Sequence, residues 1–147
     1  MSSRITTGTT VGLEAVVVTV EADIANGLPR TLIVGLPDAA VNEAQERVRS
    51  ALRNTSGVEF PLQRITVNLS PADVRKEGAG FDLAIAVAIL AAADFIPTLS
   101  SDVCVLGELG LHGELRPTNG VLPIVAGLCR RGITTFIVPE QNAAEAR

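Results

Sequence analysis

Side-chain catalysis by this chain would need a nucleophile beside a base, because a serine or cysteine attacks only when a base lies within hydrogen-bonding reach. The available bases are His112 and the single lysine, Lys76. A lysine becomes a base only when burial lowers its pKa. Lys76 lies between Arg75 and Glu77 and is followed by glycines, which predicts a solvated ammonium group. His112, in a Leu-His-Gly segment, is expected to be a solvated turn residue.

Metal and nucleotide sites are not indicated by the motifs. A zinc site needs three or four convergent ligands, and one histidine with two scattered cysteines does not supply them. We expect Cys104 and Cys129 to be buried, reduced core thiols. Neither GxxxxGK[ST] nor GxGxxG after a strand occurs, so no phosphate-binding loop is predicted. Asp82, at the start of an apolar segment, is expected to cap a helix or favour its positive end rather than do acid-base work.

The composition predicts one globular domain with an aliphatic core. The 147 residues are 47% hydrophobic and 19% charged, and Trp and Tyr are absent, which removes the usual stacking platform for single-stranded nucleic acid. The net charge of -4 provides no general attraction for a polyanion. Neither a signal peptide nor a membrane span is evident, so we expect a cytoplasmic protein without membrane contact.

Basic residues are concentrated in two places that could contact DNA or an acidic partner if they adjoin in the fold. The candidate contacts are Arg47, Arg49, Arg53, Arg75 and Lys76, with Arg64 nearby. The alternative is a solvated face whose arginines pair with Glu43, Glu46 and Glu77.

Hydrophobic periodicity and turn residues predict the elements that position these groups. Strands are predicted at 11–25, 30–34, 64–69, 103–106, 111–115 and 134–138, and helices at 38–54, 81–93 and 121–131, with a helix start at 141–147. Asn26-Gly27 predicts a hairpin between the first two strands. Residues 1–10 are expected to be flexible, and Asp38 to cap the first helix. This order favours an α/β (α+β) fold, a mixed sheet with packed helices.

Several blocks resemble the N-terminal domain of the ComM/YifB family of magnesium-chelatase-like AAA+ ATPases. They begin with Val11-Gly12-Leu13-Glu14, Ile33-Val34-Gly35-Leu36-Pro37-Asp38 and Arg47-Val48-Arg49-Ser50-Ala51-Leu52, and continue with Ile65-Thr66-Val67-Asn68-Leu69-Ser70-Pro71, Lys76-Glu77-Gly78, Gly113-Glu114-Leu115-Arg116-Pro117 and Ile137-Val138-Pro139. The resemblance extends from about Val11 to Ala144. It implies a ribosomal protein S5 domain 2-like fold, shared with the proteolytic domain of Lon.

The likeness to Lon concerns the fold rather than its Ser-Lys dyad. Gly80 stands where Lon has its nucleophilic serine, and Leu128 stands at about the position of its lysine. The resemblance therefore implies a domain with no catalytic, cofactor-binding or metal-binding residues. We expect residues 11–140 to form this Lon-like non-catalytic domain and 141–147 to begin a linker toward an AAA+ module.

In the family, ATP and Mg are bound by that AAA+ module, and ComM proteins are implicated in DNA branch migration. The resemblance implies an assembly or partner-binding domain. Its expected partners are the AAA+ module and neighbouring subunits of a hexameric ring, with DNA as a further candidate. The alternative is a Lon-type peptidase with a rearranged dyad, such as Ser70 with Lys76. Magnesium chelation into a porphyrin rests on the family name alone.

Overall fold

The structure is a computed structural model that describes residues 1–146, where the chain forms eight strands, four α-helices and one turn of 3-10 helix. The strands are β1 Ser2–Val11, β2 Glu14–Ala25, β3 Arg30–Val34, β4 Arg64–Ser70, β5 Val103–Val105, β6 Glu108–Leu109, β7 Leu115–Arg116 and β8 Thr135–Ile137. The helices are α1 Ala39–Asn42, α2 Ala44–Arg53, α3 Asp82–Ala92 and α4 Val121–Cys129, and the 3-10 turn is Glu140–Asn142. None of the helices in this part of the chain is long and apolar enough to cross a membrane.

Six strands form one mixed sheet in the order β3-β4-β2-β1-β5-β8, and β6 pairs with β7 separately. The mixed α/β fold is thus as predicted, but the hairpin at Asn26-Gly27 is wrong. The chain that follows β2 places β3 not beside β2 but on the far side of β4, and β3 and β4 run parallel. A parallel pair requires a crossover, and α1 and α2 provide it. The tight hairpin lies instead at Gly12, where Val11 pairs with Glu14 and Gly12 takes a φ of 62°.

The N-terminus differs from the flexible segment that was expected. Residues 2–11 form β1 in the interior of the sheet, antiparallel to β2 and parallel to β5. Ile5 enters the core, and the Thr7 hydroxyl, fully buried, donates a hydrogen bond of 2.6 Å to the Val105 carbonyl. A Thr-rich run is thus stabilised by strand neighbours on both sides, which its polar composition does not reveal.

Helices cover the two faces of the sheet unequally. α3 packs on one face against β1 and β2, and α2 joins the same core cluster, which includes Val18 and Val20 of β2. α4 packs on the other face against Ala15 and Val17, because successive side chains of a strand point to opposite sides. Both faces of β2 are therefore covered in part by helices. α3 is buried along most of its length, as its apolar sequence predicts.

Three further sequence predictions are modified in detail. The helix predicted over 38–54 is two helices, and Asp38 caps the first by accepting a bond from the Val41 amide. The strand predicted over 111–115 is reduced to β7, paired with β6. The helix start predicted from 141 is the short 3-10 turn, and Arg147, the last residue of the predicted linker, lies outside the described residues.

Candidate functional site

The loop between β4 and α3, residues 71–80, holds Lys76 in the interior rather than in solvent. Its side chain is fully buried, and its Nζ donates to the Pro71 carbonyl. Burial lowers the pKa of Lys76, and the nearby Asp73 carboxylate partly opposes this effect. The sequence-based expectation of a solvated lysine is therefore wrong, because the loop folds back over its own side chain.

Backbone hydrogen bonds fix this loop against the segment that precedes α1. The Lys76 amide donates to the Leu36 carbonyl at 3.0 Å, and the Asp38 amide donates to the Lys76 carbonyl at 2.9 Å. The Asp38 carboxylate also accepts from the Gly78 amide at 3.1 Å and from the Val41 amide at 2.8 Å. The helix cap predicted from sequence thus holds the loop as well.

Asp82, which is buried, forms an ion pair with the partly exposed Arg47 behind the loop. The Arg47 Nε lies 2.6 Å from Asp82 Oδ2, and the Arg47 Nη2 donates to the Ala40 carbonyl at 2.6 Å. Asp82 is fully buried and also accepts from the Leu109 amide at 3.1 Å. Burial raises the pKa of Asp82, while the bonds from Arg47 and Leu109 act to lower it. Asp82 lies in the first turn of α3, and its carboxylate joins neighbouring elements. It does not cap the helix by a hydrogen bond to a helix amide.

Gly80, which the sequence resemblance aligns with the Lon nucleophile, has little space around it. A Cβ atom built on Gly80 would lie 2.7 Å from the Thr118 Oγ1, closer than real Cβ contacts allow. Leu128, which the resemblance aligns with the Lon lysine, is fully buried in the apolar cluster between α4 and the sheet. The space around Gly80 therefore contains the Thr118 hydroxyl, and a leucine stands at the second position.

Thr118 is held by a residue that the sequence did not single out. The Asn142 side chain accepts from the Thr118 amide at 2.9 Å and donates to the Thr118 carbonyl at 3.1 Å. Asn142 is buried although it follows a loop and precedes the chain end. Nothing local in the sequence indicates this pairing, since the two residues are 24 positions apart.

A cavity of about 630 Å³ lies between these loops and the end of β1. Gly8 to Gly12 line one side, the 71–80 loop lines another, and residues 117–120 line a third. Phe81, Leu106 and Ile124 contribute its apolar surface. We call it the loop cavity.

The predicted basic contacts separate into buried and exposed groups. Lys76 is buried and Arg47 is partly buried in its pair with Asp82, so these two side chains contribute little to an exposed basic surface. Arg49 lies 3.5 Å from Glu46 and stacks over the Phe60 ring at 5.8 Å. Arg75 lies 3.5 Å from Glu77, and Arg53 is exposed. Three cations therefore remain near the surface, and two of them face a carboxylate.

The remaining candidate residues lie apart from the loop cavity. His112 is exposed, as predicted. Cys104 is buried, and burial raises the pKa of its thiol to about 12. Cys129 is exposed, which corrects the prediction of two core thiols: it falls on the solvent side at the end of α4. Ser70 accepts a bond from the Asn68 amide group at 3.2 Å, whereas Lys76 donates to Pro71.

Comparison with protein-family models identifies the family of this chain. Residues 20–142 match the family model for subunit ChlI of Mg-chelatase. The match covers most of the chain, and the chain therefore belongs to the Mg-chelatase ChlI family.

Among individual proteins, the chain is similar to ComM and YifB. The chain is 47% identical to YifB of Salmonella typhimurium over 91% of its length and 45% identical to the competence protein ComM of Haemophilus influenzae over 92%. It spans 26% of either relative. Lon protease 2 of Herpetosiphon aurantiacus is more distant, at 28% identity over 86% of this chain and 16% of the protease.

Proposed function

We propose that this domain does no chemistry itself and serves a magnesium-chelatase-like AAA+ ATPase of the ComM/YifB type as a binding and assembly module. One observation carries the proposal: at Gly80, which the resemblance aligns with the Lon nucleophile, Thr118 Oγ1 occupies the space that a side chain would need. A Ser-Lys dyad requires both members, and the resemblance aligns Leu128 with the lysine, so we infer that the domain binds a partner and does not cleave it.

We assign nucleotide binding to parts of the longer protein outside this chain. The chain spans about a quarter of its ComM and YifB relatives. We infer that ATP and Mg are bound by the AAA+ module of the longer protein and that this domain contributes to a cytoplasmic hexameric ring. Competence, the role named for ComM, belongs to the longer protein in the same proposal.

Binding of DNA is the part of the proposal that the charges favour least. Of the five candidate contacts only Arg53 and Arg75 are exposed, and Arg75 faces Glu77 at 3.5 Å. An excess of acidic residues gives the chain a net charge of -4. Phosphate contacts release counterions, so any binding would weaken steeply with salt. A protein partner or a neighbouring subunit is therefore the partner that we favour.

Two parallel measurements distinguish these partners. Fluorescent single-stranded, duplex and branched DNA are titrated at low salt with the wild-type chain and with Arg49→Ala/Arg53→Ala/Arg75→Ala. The matched control is Arg116→Ala/Arg130→Ala/Arg131→Ala, which removes the same charge from exposed positions elsewhere. We expect no DNA binding by the wild-type chain. Salt-sensitive binding that only the first variant loses would instead place DNA engagement on this domain.

Self-association is measured by sedimentation velocity of the same chain over a hundredfold range of concentration. A sedimentation coefficient that rises with concentration supports a direct role in ring assembly. If it stays monomeric and DNA also fails to bind, assembly by this domain alone is excluded and a protein partner remains. Catalytic hydrolysis of a peptide by this chain would overturn the whole proposal.

The rival function is a peptidase that uses Ser70 and Lys76. The two side chains have different hydrogen-bond partners, Asn68 for Ser70 and Pro71 for Lys76. The lowered pKa of Lys76 is the one feature that favours this rival. Labelling with a serine-directed reagent separates the two functions.

A further inference from the structure

The end of β1 has a free backbone edge inside the loop cavity. β1 pairs with β2 along its whole length, up to the pair of Val11 with Glu14. On its other side β1 pairs with β5 only at Thr6, opposite Cys104, because β5 is three residues long. Within residues 1–146, Gly8 to Val11 therefore have a strand on one side only. Alternate amide and carbonyl groups of this stretch point toward the cavity.

The lining of the loop cavity beside this edge is partly apolar and is held in place by hydrogen bonds. Phe81, Leu106 and Ile124 give it an apolar surface. Its walls are fixed by bonds already formed: the Gly107 amide donates to the Gly80 carbonyl at 3.1 Å, and Asn142 holds both backbone groups of Thr118. Four edge residues correspond to about 13 Å of extended chain at roughly 3.3 Å per residue. A segment of four or five residues therefore fits the free edge.

The charges at the cavity indicate what kind of segment would bind. Asp73, Glu77 and Glu108 line it, and Arg75 is the basic residue among its lining groups. Arg75 lies 3.5 Å from Glu77, and Asp73 and Glu108 interact with Lys76 and Arg47, which do not line the cavity. The lining side chains themselves thus carry more negative than positive charge. A partner with positive charge therefore complements this surface, and an acidic one is repelled.

We propose that the free edge at Gly8–Val11 binds an extended, basic polypeptide segment by adding it as a strand, with apolar side chains alternating with lysine or arginine. Main-chain hydrogen bonds supply the general affinity, and the apolar surface and the acidic residues supply selectivity. This proposal deepens the proposed function, on which it rests for the view that the domain is a binding module.

The experiment uses fluorescein-labelled Val-Lys-Val-Lys-Val as the probe and Val-Glu-Val-Glu-Val as its charge-reversed control, with binding followed by fluorescence anisotropy at low salt. We expect the lysine peptide to bind at least tenfold more tightly than the glutamate peptide. Two further probes carry N-methyl groups on alternate amides, one set for each edge of the peptide. Because a strand donates to its neighbour from one edge, one methylated probe should lose binding and the other should retain it.

Variants of the chain locate the binding. Ala79→Leu adds volume to the lining of the cavity and should weaken the lysine peptide at least tenfold. Glu77→Gln should weaken it severalfold, whereas Glu59→Gln, which removes an exposed carboxylate elsewhere, should not. Circular dichroism and thermal unfolding establish that each variant is folded.

Three outcomes would overturn the proposal: no binding of the lysine peptide at millimolar protein, equal loss with both methylated probes, or full binding by a folded Ala79→Leu variant. None of these outcomes bears on self-association or on the absence of catalysis. Failure here is therefore distinguishable from failure of the proposed function.

Discussion

Arg47 and Asp82 lie 35 residues apart in the sequence and meet in a two-point ion pair, Nε to Oδ2 at 2.6 Å and Nη2 to Oδ1 at 3.0 Å. The pair joins α2 to the first turn of α3. Through the Ala40 carbonyl and the Leu109 amide it also reaches α1 and β6. An arginine that looks like a surface cation in the sequence is thus a central part of the scaffold behind the loop cavity.

Asp82→Asn should lower the free energy of unfolding by about 3 kcal/mol, because it removes the buried carboxylate that forms a two-point pair with the partly exposed Arg47. Chemical denaturation at neutral pH measures the loss. The matched control is Arg4→Gln, which breaks the exposed pair between Arg4 and Glu21 at 3.4 Å and should cost less than about 1 kcal/mol. Equal costs for the two variants would show that the Arg47–Asp82 pair is not the anchor described here.

Lys76 provides a test of the buried loop because the chain has no other lysine. An amine-reactive ester should modify only the N-terminus of the native protein, since the Lys76 ammonium is enclosed. The same reagent in denaturant should add a second label. Peptide mapping by mass spectrometry locates both. Rapid native labelling of Lys76 would contradict its burial.

The lowered pKa of Lys76 also predicts the direction of a pH effect. The unfolded chain retains this proton to higher pH than the folded chain does. In the window between the two pKa values the unfolded state therefore holds more protons, and the free energy of unfolding rises with pH. Lys76→Met should remove this rise when both proteins are unfolded by denaturant across that window. An unchanged pH dependence in the variant would mean that the rise has another source.

The two cysteines should react at very different rates. One thiol, Cys129, should react with Ellman's reagent in the native state, and Cys104 only after unfolding. Cys129→Ser should abolish the fast phase and leave the slow one.

Because burial raises the pKa of Cys104 to about 12, the unfolded state loses the thiol proton first as the pH rises above the ordinary pKa of a cysteine. Stability should then fall with rising pH, less steeply in Cys104→Ala.

Asn142→Ala should loosen the 117–120 wall of the loop cavity. The change removes both side-chain bonds to Thr118 and should cost about 1–3 kcal/mol, since it leaves backbone groups without their partner. Hydrogen exchange measures the local effect: the Thr118 amide should exchange faster, with little change in Gln141→Ala, its exposed neighbour. Protection of Thr118 that survives the first variant would contradict this role.

Much of the fold follows from periodic patterns. The alternation of Ile65, Val67 and Leu69 predicted β4, and the apolar run after Phe81 predicted a buried helix; both are confirmed. These elements are readable because their own residues form the core. β1 was not predicted, because its Thr-rich sequence is stabilised by pairing with β2 and β5 rather than by its own apolar content.

The candidate site was less predictable because its contacts join distant parts of the chain. Nothing beside Lys76 in the sequence indicates that the loop folds over it. The pairing of Asn142 with Thr118 likewise joins segments that have no common pattern. The sequence did supply the resemblance that aligns Gly80 and Leu128 with the Lon dyad, but not the Thr118 hydroxyl that lies beside Gly80.

The most direct test of a non-catalytic domain is labelling with a fluorophosphonate probe, beside an active Lon protease as the positive control. We predict no stoichiometric labelling of the wild-type chain, and none of Gly80→Ser, because Leu128 provides no base. Stoichiometric modification of Ser70 in the wild-type chain, lost in both Ser70→Ala and Lys76→Ala variants that remain folded, would contradict the account and assign a peptidase to this fold.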